Sequence, residues 1–563
     1  MKVVIVGGVA GGASAAARIR RLDEQAQIVL FERTGYISYA NCGLPYYIGG
    51  IISDEEELTL QTPESFWDRF RVDVRVRHEV TAVNPEKKTV TVRELDSGVV
   101  YEESYDKLIL SPGAKPVQPD MPGYPHERIF TLRTVEDTLK IKKFTDEKKP
   151  RTATVIGGGF IGLEMAENLA QRGIQVTIVE YADHLLAPLD FDMACSVHVQ
   201  MKSHGIRLML KTAVTGFEWQ DEQLLVKTAD GCGVPSDMVL LAIGVAPDTA
   251  LAKSAGLKLG IKGSILVNDR METSVPDIYA VGDAVEVKHF ITGRSALISL
   301  AGPANKQGRI AADNVCGGNS SYKGSQGSSV IKLFDMTVAA TGINEGQAKM
   351  ANIDYERIVL SPASHASYYP DGRVMTMKVL YEKETEKILG AQIVGFEGAD
   401  KRIDVIAAAI RAGMKAAELA ELDLAYAPPY SSAKDPVNMA GFMIENIVTG
   451  KVKQFHHDEM SGLPLDGSVF LLDTRTPGEY RKGHAEGFIN IPLDDLRERL
   501  GEIPKGQKVY VMCQSGLRSY LACRILSQSG YDCYNFSGGY RFYDVVMRGS
   551  KQAEATYACG MPK

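Results

Sequence analysis

The sequence predicts an α/β protein with two doubly wound dinucleotide-binding units, an α+β domain and a small C-terminal α/β domain. Three observations predict it. A short apolar strand, a Gly-rich turn and an Ala-rich helix open the chain, and the same pattern returns near residue 153. From about Ser328 the texture changes to successive strands followed by helices. After about 468 a fresh strand, loop and helix pattern begins, with a cysteine closing one strand.

The first unit starts with Val3–Val6, an apolar run bounded by Gly7-Gly8-Val9-Ala10-Gly11-Gly12. A helix follows, and Ile28–Phe31 is the next strand, ending at Glu32. This is the βαβ context that a dinucleotide fingerprint requires. The second copy runs from Ala153–Ile156 through Gly157-Gly158-Gly159-Phe160-Ile161-Gly162 to Val176–Val179 and Glu180. Glycines let the backbone approach a pyrophosphate, and a helix N-terminus offers it N–H groups and positive dipole. Glu32 and Glu180 stand where a carboxylate accepts hydrogen bonds from ribose hydroxyls. Val9 departs from the fingerprint, because it occupies the place of the middle glycine.

The third region reads as strands at Val330–Phe334, Thr337–Thr341, Val374–Tyr381 and Ile388–Val394, with helices at Ile403–Ala412 and Ala416–Leu422. Residues 449–467 hold Gly450, His456-His457, Gly462, Pro464 and Gly467 with little periodicity, and read as a linker. The histidine pair has no further spaced ligands, so a metal site is not expected. The last region has strands at Val469–Leu472 and Val509–Met512, the second ending at Cys513-Gln514-Ser515-Gly516-Leu517-Arg518-Ser519.

Composition excludes several classes. Apolar residues are 45% and charged residues 24% of 563, which is globular usage. Lys+Arg is 63 against Asp+Glu 70, a net charge of −7, so a general nucleic-acid surface is not expected. Eight unevenly spaced cysteines do not form a secreted disulfide framework. No apolar run reaches the roughly 18 to 20 residues that span a bilayer. The N-terminal Lys2 and apolar stretch superficially match a signal peptide, but a strand entering a Gly-rich turn explains them better. A cytoplasmic location is therefore expected.

Two further segments, Leu108-Ile109-Leu110-Ser111-Pro112-Gly113-Ala114 and Asp277-Ile278-Tyr279-Ala280-Val281-Gly282-Asp283, complete a resemblance. Residues 1 to about 445 resemble the two-dinucleotide flavoprotein reductases. The resemblance implies two Rossmann-like domains and an α+β dimerisation domain that builds a homodimer. It implies FAD at Gly7, Gly8, Gly11, Gly12, Glu32, Arg33, Val80, Ser111, Gly113, Asp283 and Ala301. It implies NAD at Gly157, Gly159, Ile161, Gly162 and Glu180, where the carboxylate would repel a 2′-phosphate and favour NADH over NADPH.

Cys42 lies in Ser38-Tyr39-Ala40-Asn41-Cys42-Gly43-Leu44-Pro45-Tyr46, with no second cysteine in the next ten residues. A single cysteine must pair with an external sulfur or oxidise alone. NADH peroxidases and NADH oxidases share this trait but carry a histidine in the first glycine turn, where this chain has Val9 and Ala10. The Gly-Val-Ala-Gly-Gly turn and Asn-Cys-x-Leu-Pro-Tyr motif are instead similar to the coenzyme A disulfide reductases. That resemblance implies that Tyr368 and Tyr426 assist the thiol chemistry from the partner subunit. It implies coenzyme A contacts at Ser14, Arg18, Arg21, Ser38, Asn41 and Lys434, with Arg20 adding charge. A plain solvated helix face remains open for these arginines.

The C-terminal segment resembles a single-domain rhodanese through Asp473-Thr474-Arg475, His484-Ala485-Glu486-Gly487 and the Cys513 loop. The five-residue step from Cys513 to Arg518 (518 − 513) suits a sulfur atom, and the helix N-terminus favours a thiolate. The implied state is a Cys513 persulfide surrounded by Gln514, Ser515, Gly516 and Arg518. Cys523 and Cys533 read as core, while Cys195, Cys232, Cys316 and Cys559 show no motif.

The expected architecture is an FAD-binding domain at 1–112 and 246–325, an NAD-binding domain at 113–245, a dimerisation domain at 326–448, the linker at 449–467 and a rhodanese domain at 468–552. The expected activity is NADH-linked reduction of coenzyme A persulfide, polysulfide or disulfide through Cys42, with Cys513 handling sulfane sulfur. Coenzyme A is expected as substrate or tightly bound ligand. A plain coenzyme A disulfide reductase and a slow sulfur-carrier or redox-sensing flavoprotein are the alternatives.

Overall fold

A computed structural model describes residues 1–220 and 222–551, so Cys559 lies outside the described residues. The chain divides into two compact units; of the described residues the first holds 1–181 and 205–327, the second 182–204 and 328–551.

The first unit is a duplication that extends beyond the glycine turns. One sheet has strand order Ile278–Ala280, Lys107–Leu110, Lys2–Val6, Gln27–Glu32, Asp73–Val76, all parallel. The other has Ile129–Thr131, Met238–Leu241, Thr152–Ile156, Gln175–Val179, Arg207–Met209, again all parallel. Each is accompanied by a three-stranded antiparallel meander, at residues 78–104 and 214–236. Side chains of the first sheet are buried on both faces. Val3, Ile5, Ile28 and Leu30 pack on one side, Val4, Val6, Val29 and Phe31 on the other. Two-sided burial is why these strands read as apolar runs rather than as alternation.

In the second unit an antiparallel sheet runs Ser329–Leu333, Met336–Gly342, Ile388–Gly395, Thr376–Glu382, Tyr355–Leu360. The segment expected as a helix at Ala416–Leu422 is a 3₁₀ helix over Ala416–Glu421. Asn438 Nδ2 donates to Leu419 O and Leu422 O, and a Cβ on Gly441 would meet Ala420 N at 2.1 Å. The Pro436–Val448 helix thus lies directly on that backbone and satisfies carbonyls there.

The C-terminal sheet is parallel, in the order Lys453–Phe455, Asp532–Phe536, Lys508–Met512, Phe470–Asp473, Ile489–Asn490. Its first strand corrects the expected linker. Lys453–Phe455 pairs with Tyr534–Phe536, and Phe455 is buried between Tyr510 and Phe536. His456 Nε2 faces Glu356 at 3.3 Å, and Asp458 pairs with Arg357 at 2.5 Å. Ser537 Oγ accepts from Val359 N at 2.8 Å. These bonds hold the C-terminal domain on the antiparallel sheet, so 449–467 does not behave as a free tether.

Residues 182–204, expected within the NAD-binding domain, also belong to the second unit. Their helix, Phe191–Ser203, packs on Gly539–Ser550, where a Cβ on Gly549 would meet Cys195 Cβ at 2.5 Å. Asp190 and Asp192, with Glu345, surround the fully buried Lys378 ammonium at 3.0 Å, 2.9 Å and in hydrogen-bond contact. That ammonium fills the space that three carboxylates could otherwise offer a metal ion. Among the described residues no helix is long and apolar enough to cross a membrane.

Candidate active site

Both glycine turns are packed so closely against neighbouring backbone that side chains are excluded from them. A Cβ on Gly7 would meet Ser111 O at 2.0 Å, and one on Gly12 would meet Gly7 O at 1.9 Å. The second turn repeats this with Gly157 against Ala242 O at 2.2 Å and Gly162 against Gly157 O at 2.1 Å. Gly159 differs, since a Cβ there would meet no protein atom within 4 Å. The middle position therefore faces open space, and Val9 fits the first turn without backbone conflict. Neither the Ala10–Leu22 nor the Phe160–Gln171 helix has a side-chain N-cap, which leaves first-turn amides for phosphate.

Glu32 Oε2 accepts from Gly8 N at 2.9 Å, and its Oε1 accepts from Thr34 N at 2.9 Å. Glu180 Oε2 accepts from Gly158 N at 2.5 Å. Each carboxylate thus pins its own turn and stands at the strand end where a ribose would lie. Val80 is a core residue, Gly113 has φ 70°, and Ala301 is exposed at the start of the Ala301–Val315 helix. Arg33 pairs with Asp248 at 3.0 Å. Asp283 pairs with Arg133 at 3.0 Å, a partner the sequence did not suggest. These groups fit FAD and a pyridine nucleotide.

Cys42 sits exposed in the Asn41–Gly43 turn, just before the Leu44–Gly49 helix. Desolvation by its surroundings pushes its thiol pKa up; the Glu164 carboxylate adds to this and the Arg133 guanidinium opposes it. Glu164 itself is raised to about 7 by burial, and it accepts a 3.4 Å hydrogen bond from Tyr46 Oη. Tyr46 is in turn raised to about 12 by burial and by Glu164. Glu164 belongs to no motif, and Tyr46, although it closes the Asn-Cys-x-Leu-Pro-Tyr stretch, has nothing in the sequence that pairs it with a carboxylate 118 residues away. The close packing of their helices brings them together, with Gly49 backed against Asn168 Oδ1.

A cavity of about 360 Å³ collects three of the expected coenzyme A contacts, Ser14, Arg21 and Ser38. It also brings in Arg69, Arg309, Phe66, Phe70 and Asn305, which sequence reading missed. Arg18 does not line it; its Nε donates to Asp313 at 2.7 Å. Arg20 is buried and donates to the carbonyls of Phe70, Asp23, Glu24, Ala26 and Arg71 at 2.7–3.1 Å, so its charge serves the local fold. Asn41 flanks Cys42, and Lys434 is exposed in the second unit.

In the second unit Tyr368 and Tyr426 meet, Oη to Oη, at 2.5 Å although 58 residues separate them. Their hydrogen bond raises the Tyr426 pKa. Tyr426 also borders a cavity of about 570 Å³ with His365, Lys401, Arg402 and Tyr430.

Cys513 is fully buried at the end of Lys508–Met512. Its Sγ receives Gly516 N–H at 3.1 Å and the Ser519 hydroxyl at 3.2 Å. Gly516 makes this possible with φ 96°. On the far side a Cβ on Gly539 would meet Ser515 N at 2.6 Å and Gln514 C at 2.8 Å. The start of Gly539–Ser550 thus presses on the loop, and Tyr540 N donates to Cys513 O at 2.7 Å. Arg518 is held by both oxygens of Glu479, at 2.7 and 2.8 Å.

Residues 1–308 match the family model described as pyridine nucleotide-disulphide oxidoreductase, and 328–436 match that family's dimerisation domain. The chain belongs to this family. Residues 457–543 match the rhodanese-like domain. A coenzyme A disulfide reductase of Staphylococcus aureus (strain JH9) is 38% identical over 442 residues, 78% of this chain and 99% of that one. The crystal structure of reduced Bacillus anthracis CoADR-RHD is 50% identical, with TM-score 0.95, covering 97% of this chain and 98% of that one. A NAD-dependent persulfide reductase from A. fulgidus is 37% identical, with TM-score 0.91, covering 96% and 100%. The chain is therefore an FAD-dependent pyridine nucleotide-disulphide oxidoreductase, similar to coenzyme A disulfide reductase, with a C-terminal rhodanese domain.

Proposed function

We propose that the chain, acting as a homodimer, reduces coenzyme A persulfide or polysulfide, and coenzyme A disulfide, with NADH. Cys42 is its one redox-active cysteine, and Cys513 carries sulfane sulfur. The observation that carries this reading is the cavity at Ser38, four residues before Cys42 (42 − 38), where Arg21, Arg69 and Arg309 converge. Three guanidinium groups suit the phosphates of a nucleotide-bearing thiol. The Cys42 thiol, four residues along the chain from Ser38, is the group proposed to meet its sulfur end.

FAD, once bound, supplies the two-electron relay between NADH and sulfur. The chain's own residues do the rest. Glycine turns and helix N-termini hold the pyrophosphates. Cys42 attacks the inner sulfur of the persulfide, and hydrosulfide leaves as the Cys42–coenzyme A disulfide forms. Tyr368 and Tyr426 are read, from the family resemblance, as acting across the dimer; a phenol there can donate a hydrogen bond or proton to a departing thiolate.

The alternative of a plain disulfide reductase is favoured by the S. aureus coenzyme A disulfide reductase, which matches 78% of this chain over 99% of its own length. The persulfide reading is favoured by the A. fulgidus persulfide reductase, whose structure covers 96% of this chain. The deciding experiment is anaerobic hydrogen sulfide release from coenzyme A persulfide plus NADH, against the rate with coenzyme A disulfide. Cys42→Ser should abolish both rates while retaining FAD. No release above the chemical background would remove the persulfide reading.

A further inference from the structure

The mouth of the Cys513 loop is charge-compensated. Two guanidinium groups bond at it, and both are already engaged. Arg518 makes a two-pronged bond to Glu479, 2.8 and 2.7 Å. Arg475, fully buried, makes another to Asp473 through Nε and Nη2, at 3.0 and 2.7 Å, and stacks over Tyr540 at 3.8 Å. Its remaining Nη1 reaches Gln514 Oε1 at 3.4 Å.

Glu479 is not free to swing away. Its Oε2 also accepts from Thr476 N and Thr476 Oγ1, each at 2.9 Å, in the capping box that starts the Pro477–Lys482 helix. Arg518 depresses the Glu479 carboxyl to about 2, so the pair stays charged across the physiological range. Arg541 contributes its backbone N–H to Gln514 O at 3.1 Å, with its side chain exposed. The rim beside Arg518 is apolar, since Leu517 is 65% exposed and Leu521, one turn on, is 42% exposed.

We propose that this loop takes sulfur from the uncharged arm of an organic persulfide and turns away thiosulfate, and that Glu479 sets the choice by holding Arg518. The proposal rests on the reading of Cys513 as the sulfur carrier. An inorganic dianion needs an unpaired cation at the mouth, because the loop must strip its water. A chain of methylenes and amides needs none, and it gains from the leucine rim. The chemistry is otherwise shared. The Cys513 thiolate attacks the terminal sulfur of R–S–SH, the donor's S–S bond breaks, and R–S⁻ leaves as the new S–S bond forms. Thiosulfate would load Cys513 in the same way and release sulfite. No oxidant or reductant is consumed in either case. Gly516 N–H and the Ser519 hydroxyl, already on Sγ, are placed to hold the charge of the sulfur that is gained.

The test uses the full-length holoenzyme without NADH. Sulfur loading of Cys513 is followed by mass, and steady-state transfer to cyanide is followed as thiocyanate, with 2-hydroxyethyl persulfide and thiosulfate as donors. The wild type should favour the persulfide in kcat/KM. Glu479→Gln, which keeps the capping box but frees the guanidinium, should raise the thiosulfate-to-persulfide ratio about tenfold or more, the worth of one charge-assisted hydrogen bond. Adding Arg518→Gln to that variant should remove the gain. Should Glu479→Gln fold poorly, Thr476→Val loosens the same carboxylate and should move the ratio in the same direction by a smaller factor. A wild type that prefers thiosulfate, or a ratio unmoved in both variants, overturns the proposal. Sulfur loading that survives Cys513→Ser would instead overturn the carrier reading beneath it.

Discussion

Glu164→Gln tests the electrostatics around Cys42 most directly. Glu164 lies on the Phe160–Gln171 helix, and burial lifts its carboxyl from 4.5 to about 7. A folded-state value above the unfolded one means that the protonated form is favoured in the fold. Relative to a non-titrating side chain, that stability is fully present below pH 4.5 and is lost as pH rises through about 7. At about 1.4 kcal/mol per pH unit, the loss above pH 7 is at most about 3.5 kcal/mol, and solvent screening reduces it. Glu164→Gln should therefore unfold at a temperature that gains on the wild type between pH 4.5 and 7 and holds that gain above. A second readout concerns Cys42. The ionised Glu164 is the second contributor, after burial, to the raised thiol, so its removal should lower the midpoint of Cys42 ionisation. The assay is the pH dependence of iodoacetamide alkylation of the reduced holoenzyme, followed on the Cys42 peptide. A midpoint unchanged or higher in Glu164→Gln would refute the assignment of that carboxylate to the Cys42 environment.

The remaining predictions are quicker to state. Tyr368→Phe and Tyr426→Phe should each slow turnover, and the double variant should lose roughly 10² to 10⁴-fold, as expected for a lost proton donor; unchanged steady-state rates in the double variant would exclude that role. On the proposal that Glu180, which accepts from Gly158 N, repels a 2′-phosphate, NADH should outperform NADPH in kcat/KM and Glu180→Ala should narrow the gap; equal efficiencies in the wild type would count against it. A C-terminal fragment starting at residue 451 should be more stable than one starting at 463, because only the first keeps the Lys453–Phe455 strand and the buried Phe455. Loss of a buried phenylalanine alone costs about 3 to 5 kcal/mol, visible in a urea melt; equal midpoints would mean that the strand adds nothing.

Much of the architecture was readable because its signals are local. The two glycine turns, the apolar strands beside them and the acidic strand ends lie within short windows, and the structure places each in the expected βαβ unit. The Cys513 loop was equally legible, since one stretch of chain supplies both the thiol and its Gly516 N–H. The segment 449–467 was misread for the same reason inverted. Its three-residue strand is too short to show a period and exists only because Tyr534–Phe536 is there to pair with it. Residues 182–204 follow the NAD-type strand in sequence, yet their side chains find Lys378 and Gly549 instead.

The sequence by itself determined two glycine turns in βαβ units, a single cysteine shortly after the first unit, and a cysteine loop between a strand and a helix at the C-terminal end. Only the tertiary structure decided which charges those residues live among. Arg18 and Arg20 were expected beside Arg21 at a phosphate, but Asp313 and a ring of carbonyls hold them, while Arg69 and Arg309 arrive from distant segments. Arg133 reaches Asp283 across 150 residues, Tyr368 reaches Tyr426 across 58, and Glu479 reaches Arg518 across 39. The physical reason is one of range. A turn or a strand is specified by neighbours along the chain, whereas an ion pair forms wherever folding brings opposite charges within a few ångströms, and no spacing in the sequence announces it.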